Sequence, residues 1–224
     1  SMFFSLLDLV VALAGIGAWF AVVDPSLVGI SPTVAVRPFA AAAVGISTSH
    51  VLYALVWFNS DRFAAVCRSA KQSPVEVFGL LVLLAKCIQQ GSLLLWLASV
   101  AISPFTAVME AESSHWVLAA VLMGLGQTLN AAIYAAIGKD GVYYGFKLGA
   151  PVPWCDGFPF NLGFRHPQYV GGYLTQLGVI AMVASPAALA SGLVPLGAWW
   201  FFLYAVTSWM EASGDNDTED AKAK

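Results

Sequence analysis

The chain has 224 residues, of which 59% are hydrophobic and only 10% charged, with a mean hydropathy of +0.76. A water-soluble domain carries roughly 25% charged residues, so this composition excludes an ordinary soluble globule and points to a polytopic α-helical membrane protein. The formal net charge is -3, five of the acids fall in the last fourteen positions, and no basic patch suits nucleic acid. Cys67, Cys87 and Cys155 are scattered without CxxC spacing, which indicates neither a disulfide framework nor a metal site.

In chain order, the first apolar run is Phe3 to Val23, interrupted by Asp8 and ended by Asp24-Pro25. It has no basic leader and is long enough to be retained rather than cleaved, and Ser1 ahead of Met2 reads as an added residue. The second run, Phe39 to Phe58, closes at Asn59-Ser60-Asp61-Arg62. Val75 to Ile102 is the third, with Lys86, Gln89 and Gln90 near its middle, and Ser103-Pro104 ends it. Trp116 to Ile137 is the fourth and contains Gly124, Gly126, Gln127 and Asn130. A polar connection from Gly138 to Gln168 follows. Tyr169 to Met210 is then about twice the 20 residues that span a bilayer, and Ser185-Pro186 near its middle predicts a tight hairpin of two helices.

The expected architecture is all-α, a transmembrane bundle of five to six spans over residues 1–210, with a charged, disordered tail over 211–224. Six spans put both termini on one side, together with Arg62, Arg68, Lys71, Lys139, Lys147, Arg165, Lys222 and Lys224, against Arg37 on the other. The excess of positive charge makes that side, and both termini, cytosolic. The first run is the weakest span. No internal repeat is visible, which disfavours a transporter.

The segment from Gly157 to Gly172 concentrates the chemistry, with Asn161, Arg165, His166 and Gln168 set among two prolines and four glycines between apolar runs. Polar groups beside hydrocarbon are expensive and are usually kept for use. Pro167 opens a helix whose N-terminal N–H groups suit a carboxylate, Arg165 can add a bidentate contact, and His166 can take a proton. Arg165 read alone could equally be a topogenic charge, and His166 an interfacial residue. Gly124-Leu125-Gly126 allows a ligand or a neighbouring helix to approach closely, and packing is the simpler reading. Gly138 reads as a helix C-cap. Tyr143 and Tyr144 could wall a cationic centre or belong to an interfacial aromatic belt. His50 and His115 read as interfacial, Lys86 as a snorkelling or paired residue, and Glu211 as a solvated helix end.

Taken together, GLG-QTLNAAIYAAI-GKDGVYYG (Gly124 to Gly145), FPFN (Phe158 to Asn161), HPQYVGG (His166 to Gly172) and Ser185-Pro186 resemble the phosphatidylethanolamine N-methyltransferase family. Their order also fits the wider group of integral-membrane methyltransferases that includes the isoprenylcysteine carboxyl methyltransferases. The resemblance implies S-adenosylmethionine-dependent methylation of a phospholipid head-group amine, leading to phosphatidylcholine, at the cytosolic face of a membrane, the endoplasmic reticulum in a eukaryote. It associates Gly124, Gly126 and an acidic pair at the last helix with the methyl donor. Here Met210-Glu211 stands where two acids are expected, so Glu211 alone is assigned to the donor's ribose. Arg165, His166, Tyr143 and Tyr169 complete the donor set; Tyr144, Trp154 and Asn161 are assigned to the lipid. His166 is the base of first choice and Asp140 the second. The implied partners are phosphatidylethanolamine and its mono- and dimethyl forms, without metal or nucleic acid. The alternatives are a prenylcysteine-type carboxyl methyltransferase and a non-enzymatic helix bundle or transporter.

Overall fold

The computed structural model describes residues 5–23, 36–100 and 103–213. Its helices are α1 (Leu6–Val22), α2 (Val36–Phe58), α3 (Ser60–Ser69), α4 (Pro74–Ser99), α5 (Pro104–Met109), α6 (Ser113–Val142), α7 (Gly145–Leu148), α8 (Pro167–Met182), α9 (Pro186–Ala190) and α10 (Leu193–Ser213). Among the described residues there is no strand, as the composition predicts. Among the described residues four helices, α2, α4, α6 and α10, are long and apolar enough to cross a membrane. With 17 and 16 residues, α1 and α8 reach about 25 Å at 1.5 Å per residue, short of a 30 Å hydrocarbon core. The tail expected after Met210 begins inside α10, and residues 214–224 lie outside the described set.

Local chemistry sets the helix ends. Ser73 caps α4 by accepting from the Glu76 N–H at 3.4 Å, with Pro74 in the first turn. Ser185 caps α9 the same way at 3.3 Å, ahead of Pro186, so the predicted hairpin turns through one short helix. Gly138 adopts φ +67°, ψ -179°, a conformation open to glycine, and breaks α6 where a C-cap was expected. The chain resumes one helical turn to Val142 instead of leaving directly for a loop.

Small residues bring the central pair together. A Cβ on Gly126 of α6 would lie 2.5 Å from the Gly171 carbonyl oxygen of α8, and one on Gly178 would lie 2.5 Å from Met123 Cγ. Backbones this close give the packing that associates helices in lipid, where no hydrophobic force separates helix from solvent. α2 packs on α4 and on α10. Trp96, Trp200, Leu97, Leu193 and Ile46 fill the core between these pairs.

The polar residues inside the apolar runs are interhelical ties. Gln89 Nε2 donates to the Ile46 carbonyl at 2.9 Å, Gln90 Nε2 to Gln176 Oε1 at 3.0 Å, and Gln127 Nε2 to Thr175 Oγ1 at 3.0 Å. His50 Nδ1 lies 3.0 Å from Thr207 Oγ1, tying α2 to α10. His50, midway along α2, and His115, in the first turn of α6, are both buried against neighbouring helices.

Candidate active site

The C-terminal ends of α2, α6 and α10 and the N-terminal ends of α4 and α8 meet at one end of the bundle, where contacts between distant segments gather. Two adjoining chambers lie there. The outer one has a volume of about 380 Å³ and is walled by Trp57, Phe146, Trp154, Phe160, Arg165, His166, Tyr144 and Glu211, among others. The inner one, about 280 Å³, lies deeper along α8 and includes His50, Lys86, Gln127, Asn130, Tyr143 and Tyr204. Ile133, Val142, Gln168 and Tyr169 belong to both walls, so the chambers share a partition.

Glu211 is the polar centre of the outer chamber. Its Oε1 accepts hydrogen bonds from the hydroxyls of Tyr144 and Tyr169. Among the described residues no hydrogen bond is made to Oε2, which leaves acceptor capacity for a ligand. Tyr144 is brought here by a left-handed backbone, φ 57° and ψ 31°, costing on the order of 1–2 kcal/mol for a residue with a Cβ. Rings on three sides hold it: it stacks on Phe78 at 5.4 Å and meets Tyr53 and Trp57 edge-on at 5.4 and 5.1 Å. Arg68 Nη2 donates to the Leu148 carbonyl at 3.0 Å and so pins α7 beside α3.

The entrance to α8 is fixed from α1. The Asp8 carboxylate accepts from the backbone N–H of Arg165 at 3.1 Å and of His166 at 3.4 Å, while also closing a capping box with Ser5. Two N–H groups at the start of the helix are thus engaged by a protein carboxylate.

Of the residues singled out in the sequence, Tyr144, Trp154, Arg165, His166, Tyr169 and Glu211 come together around the outer chamber. Tyr143 lies on the inner one and accepts from the Tyr134 hydroxyl at 2.7 Å. Gly126 is at the α6–α8 contact and Gly124 is exposed with open space where a Cβ would be; neither lines a chamber. Asp140 and Asn161 also lie outside both walls, Asn161 with its side chain exposed. Sequence reading missed Trp57 and Phe146 as wall residues, since an aromatic at a helix end carries no mark of what it faces. Among the described residues no three His, Cys, Asp or Glu side chains assemble into a metal site.

A helical membrane protein with a polar, aromatic-walled chamber at one end of its bundle is the class that fold and site define. Residues 114–212 match the family model described as phospholipid methyltransferase. The chain is 31% identical over 142 residues to "Phosphatidyl-N-methylethanolamine N-methyltransferase" of Arabidopsis thaliana, covering 63% of this chain and 78% of the relative. No solved structure matches. The chain belongs to the phospholipid methyltransferase family, and it is an enzyme that transfers methyl groups to phospholipid.

Proposed function

We propose that the chain catalyses S-adenosylmethionine-dependent N-methylation of phosphatidylethanolamine or its mono- and dimethyl forms, leading to phosphatidylcholine. The name of the Arabidopsis relative supports an already methylated ethanolamine as acceptor. The observation that carries the reading is the convergence of Tyr144, Tyr169 and Glu211 opposite Arg165 and His166 in one chamber. Its size falls within the roughly 300–1,000 Å³ usual for small-molecule sites.

The chamber's chemistry fits the donor at each of its parts. A carboxylate with spare acceptor capacity suits ribose hydroxyls, an arginine suits a carboxylate, and aromatic faces suit a sulfonium. When bound, S-adenosylmethionine supplies an electrophilic methyl group. Glu211 then holds the hydroxyls, steadied by two tyrosines, and Arg165 holds the carboxylate end. Tyr169, in the partition, stands where the amine must reach the methyl. The acceptor nitrogen attacks only with its lone pair free, and the His166 ring receives the proton it sheds. Holding nucleophile and methyl in line accounts for much of the acceleration. The membrane domain runs through the end of α10 at Ser213, so that Glu211 belongs to it rather than to a tail; both termini are cytosolic, and the endoplasmic reticulum is the membrane in a eukaryote.

The test is purified full-length protein with radiolabelled S-adenosylmethionine and each of the three ethanolamine lipids, products being resolved afterwards. Label in a lipid product is the expected result and shows which steps are carried. Label only in a prenylcysteine acceptor would replace the reading with the carboxyl methyltransferase one.

A further inference from the structure

Lys86 sits midway along α4, twelve residues from Pro74, and lines the inner chamber. Its contacts are the Tyr204 hydroxyl, 3.4 Å from Nζ, and the Tyr204 ring, 5.5 Å away. Among the described residues no carboxylate pairs with it. A cation in the middle of a membrane helix costs several kcal/mol and is by default a functional position, for which an anion is the matching charge. Among the described residues two polar atoms of the same chamber have no hydrogen-bond partner: Ser49 Oγ and His50 Nε2, on side chains 1% and 6% exposed. Buried polar atoms are nearly always satisfied, so these two, beside a cation without a counter-charge, point to a polar ligand.

The chamber also has a side opening. α4 packs on α2 while α6 packs on α8. Leu83 of α4, 59% exposed, and Tyr134 of α6, 43% exposed, line the chamber and also lie on the outer surface of the bundle. Above this gap the Lys139–Glu76 ion pair and the edge contact of Tyr143 with Phe78 bridge α6 to α4. Below it, the Gln90–Gln176 hydrogen bond joins α4 to α8. The opening is framed at both ends and lies along the apolar, span-length helices α4 and α6.

We propose that a phospholipid enters between α4 and α6 and seats its phosphodiester against Lys86 in the inner chamber. The acyl chains remain outside past Leu83, and the amine reaches the partition at Gln168 and Tyr169. Because helical Cα–Cβ bonds tilt toward the N-terminus, the Lys86 side chain extends toward the Pro74 end, where head groups lie. This assignment deepens the proposed function by placing the acceptor, and it rests on that reading only for the identity of the amine.

The test compares Lys86→Gln and Lys86→Arg with wild type. It uses donor binding by calorimetry, steady-state kinetics at varied lipid mole fraction, and capture of a phosphatidylethanolamine bearing a diazirine on its acyl chain. Lys86→Gln is expected to raise the apparent KM for lipid about tenfold or more, the loss of one charge-assisted contact. Donor affinity should change less than twofold, and Lys86→Arg should recover most of the loss. Photolabel should fall on α4 and α6 peptides around Leu83 and Gln127, and this readout needs no turnover. An unchanged lipid KM, a rise in donor Kd alone, or label confined to other helices would overturn the assignment. If Lys86→Gln fails to fold, label position in wild type and the Lys86→Arg kinetics decide. Wild-type capture at α4 and α6 without methylation would sink the proposed function and leave the lipid site standing.

Discussion

Asp8 on α1 accepts the backbone N–H groups of Arg165 and His166, across 157 residues of sequence from the nearer of the two. Among the described residues this buried carboxylate, 1% exposed, is met by backbone N–H groups and the Ser5 hydroxyl rather than by a basic side chain. The sequence predicts that these N–H groups would meet the carboxylate of a ligand; the structure gives them one from the protein. Asp8 is therefore a positioning residue, setting the backbone from which Arg165 and His166 project.

Asp8→Ala should lower stability by about 2 kcal/mol, the loss of a charged acceptor with its donors left buried. The apparent melting temperature of the purified protein measures this. Asp8→Asn should fall between, since its carbonyl can still accept but without charge. In both, donor KM should rise more than lipid KM, because the outer chamber is what Asp8 supports. Equal effects on the two constants would mean Asp8 holds only the helix.

Glu211 makes the second prediction. Its Oε1 is held by Tyr144 and Tyr169, so Glu211→Gln keeps the shape but removes the charge. Donor affinity should fall on the order of 10- to 100-fold, as for other hydrogen bonds to charged groups. Tyr169→Phe should cost less, about tenfold, because Tyr144 still orients the carboxylate. Calorimetric titration of each variant with S-adenosylmethionine supplies the numbers. A Glu211→Gln protein that binds the donor normally would remove Glu211 from the ribose role.

Gly124 and Gly126 separate the two readings of the glycine pair. Gly126→Ala puts a methyl 2.5 Å from the Gly171 carbonyl oxygen and 2.8 Å from the Thr175 backbone nitrogen, so one helix must move. Stability should drop by about 1–3 kcal/mol, as for overpacking elsewhere. Gly124→Ala meets nothing within 4 Å and should be neutral or slightly stabilising. Loss of activity in Gly124→Ala at unchanged melting temperature would instead place the donor against that face of α6.

What was legible in the chain follows from the range of the forces involved. Apolar run length, the helix start at Pro167, the turn at Ser185-Pro186 and the interruption at Gly138, read as a C-cap, are local, and they read directly. The grouping of Arg165, His166, Tyr169 and Glu211 came from a family pattern together with the hairpin at Ser185-Pro186, which returns α10 to the face that carries Arg165. The Asp8 tie and the inner chamber were not legible. Asp8 looks like an interruption in an apolar run, and Lys86, His50 and Tyr204 lie on three helices whose rotations are fixed by packing. Such rotations depend on contacts like Gly126 with Gly171, which a one-dimensional pattern does not encode.

The two candidate bases can be told apart by a paired comparison. His166 lines the outer chamber with its ring 6.1 Å from that of Tyr169, whereas Asp140 lies on neither wall. His166→Ala should lower kcat by about 100-fold or more, the usual scale for removing a general base. Asp140→Asn should stay within about threefold of wild type, because a base must come within hydrogen-bond reach of the proton it takes. Raising pH should partly rescue His166→Ala with an ethanolamine lipid, since solution then deprotonates the amine without help. No such rescue is expected for Glu211→Gln, whose defect lies in holding the donor. Steady-state kinetics at saturating donor across a pH series distinguishes them, and an Asp140→Asn protein as impaired as His166→Ala would transfer the base role to Asp140.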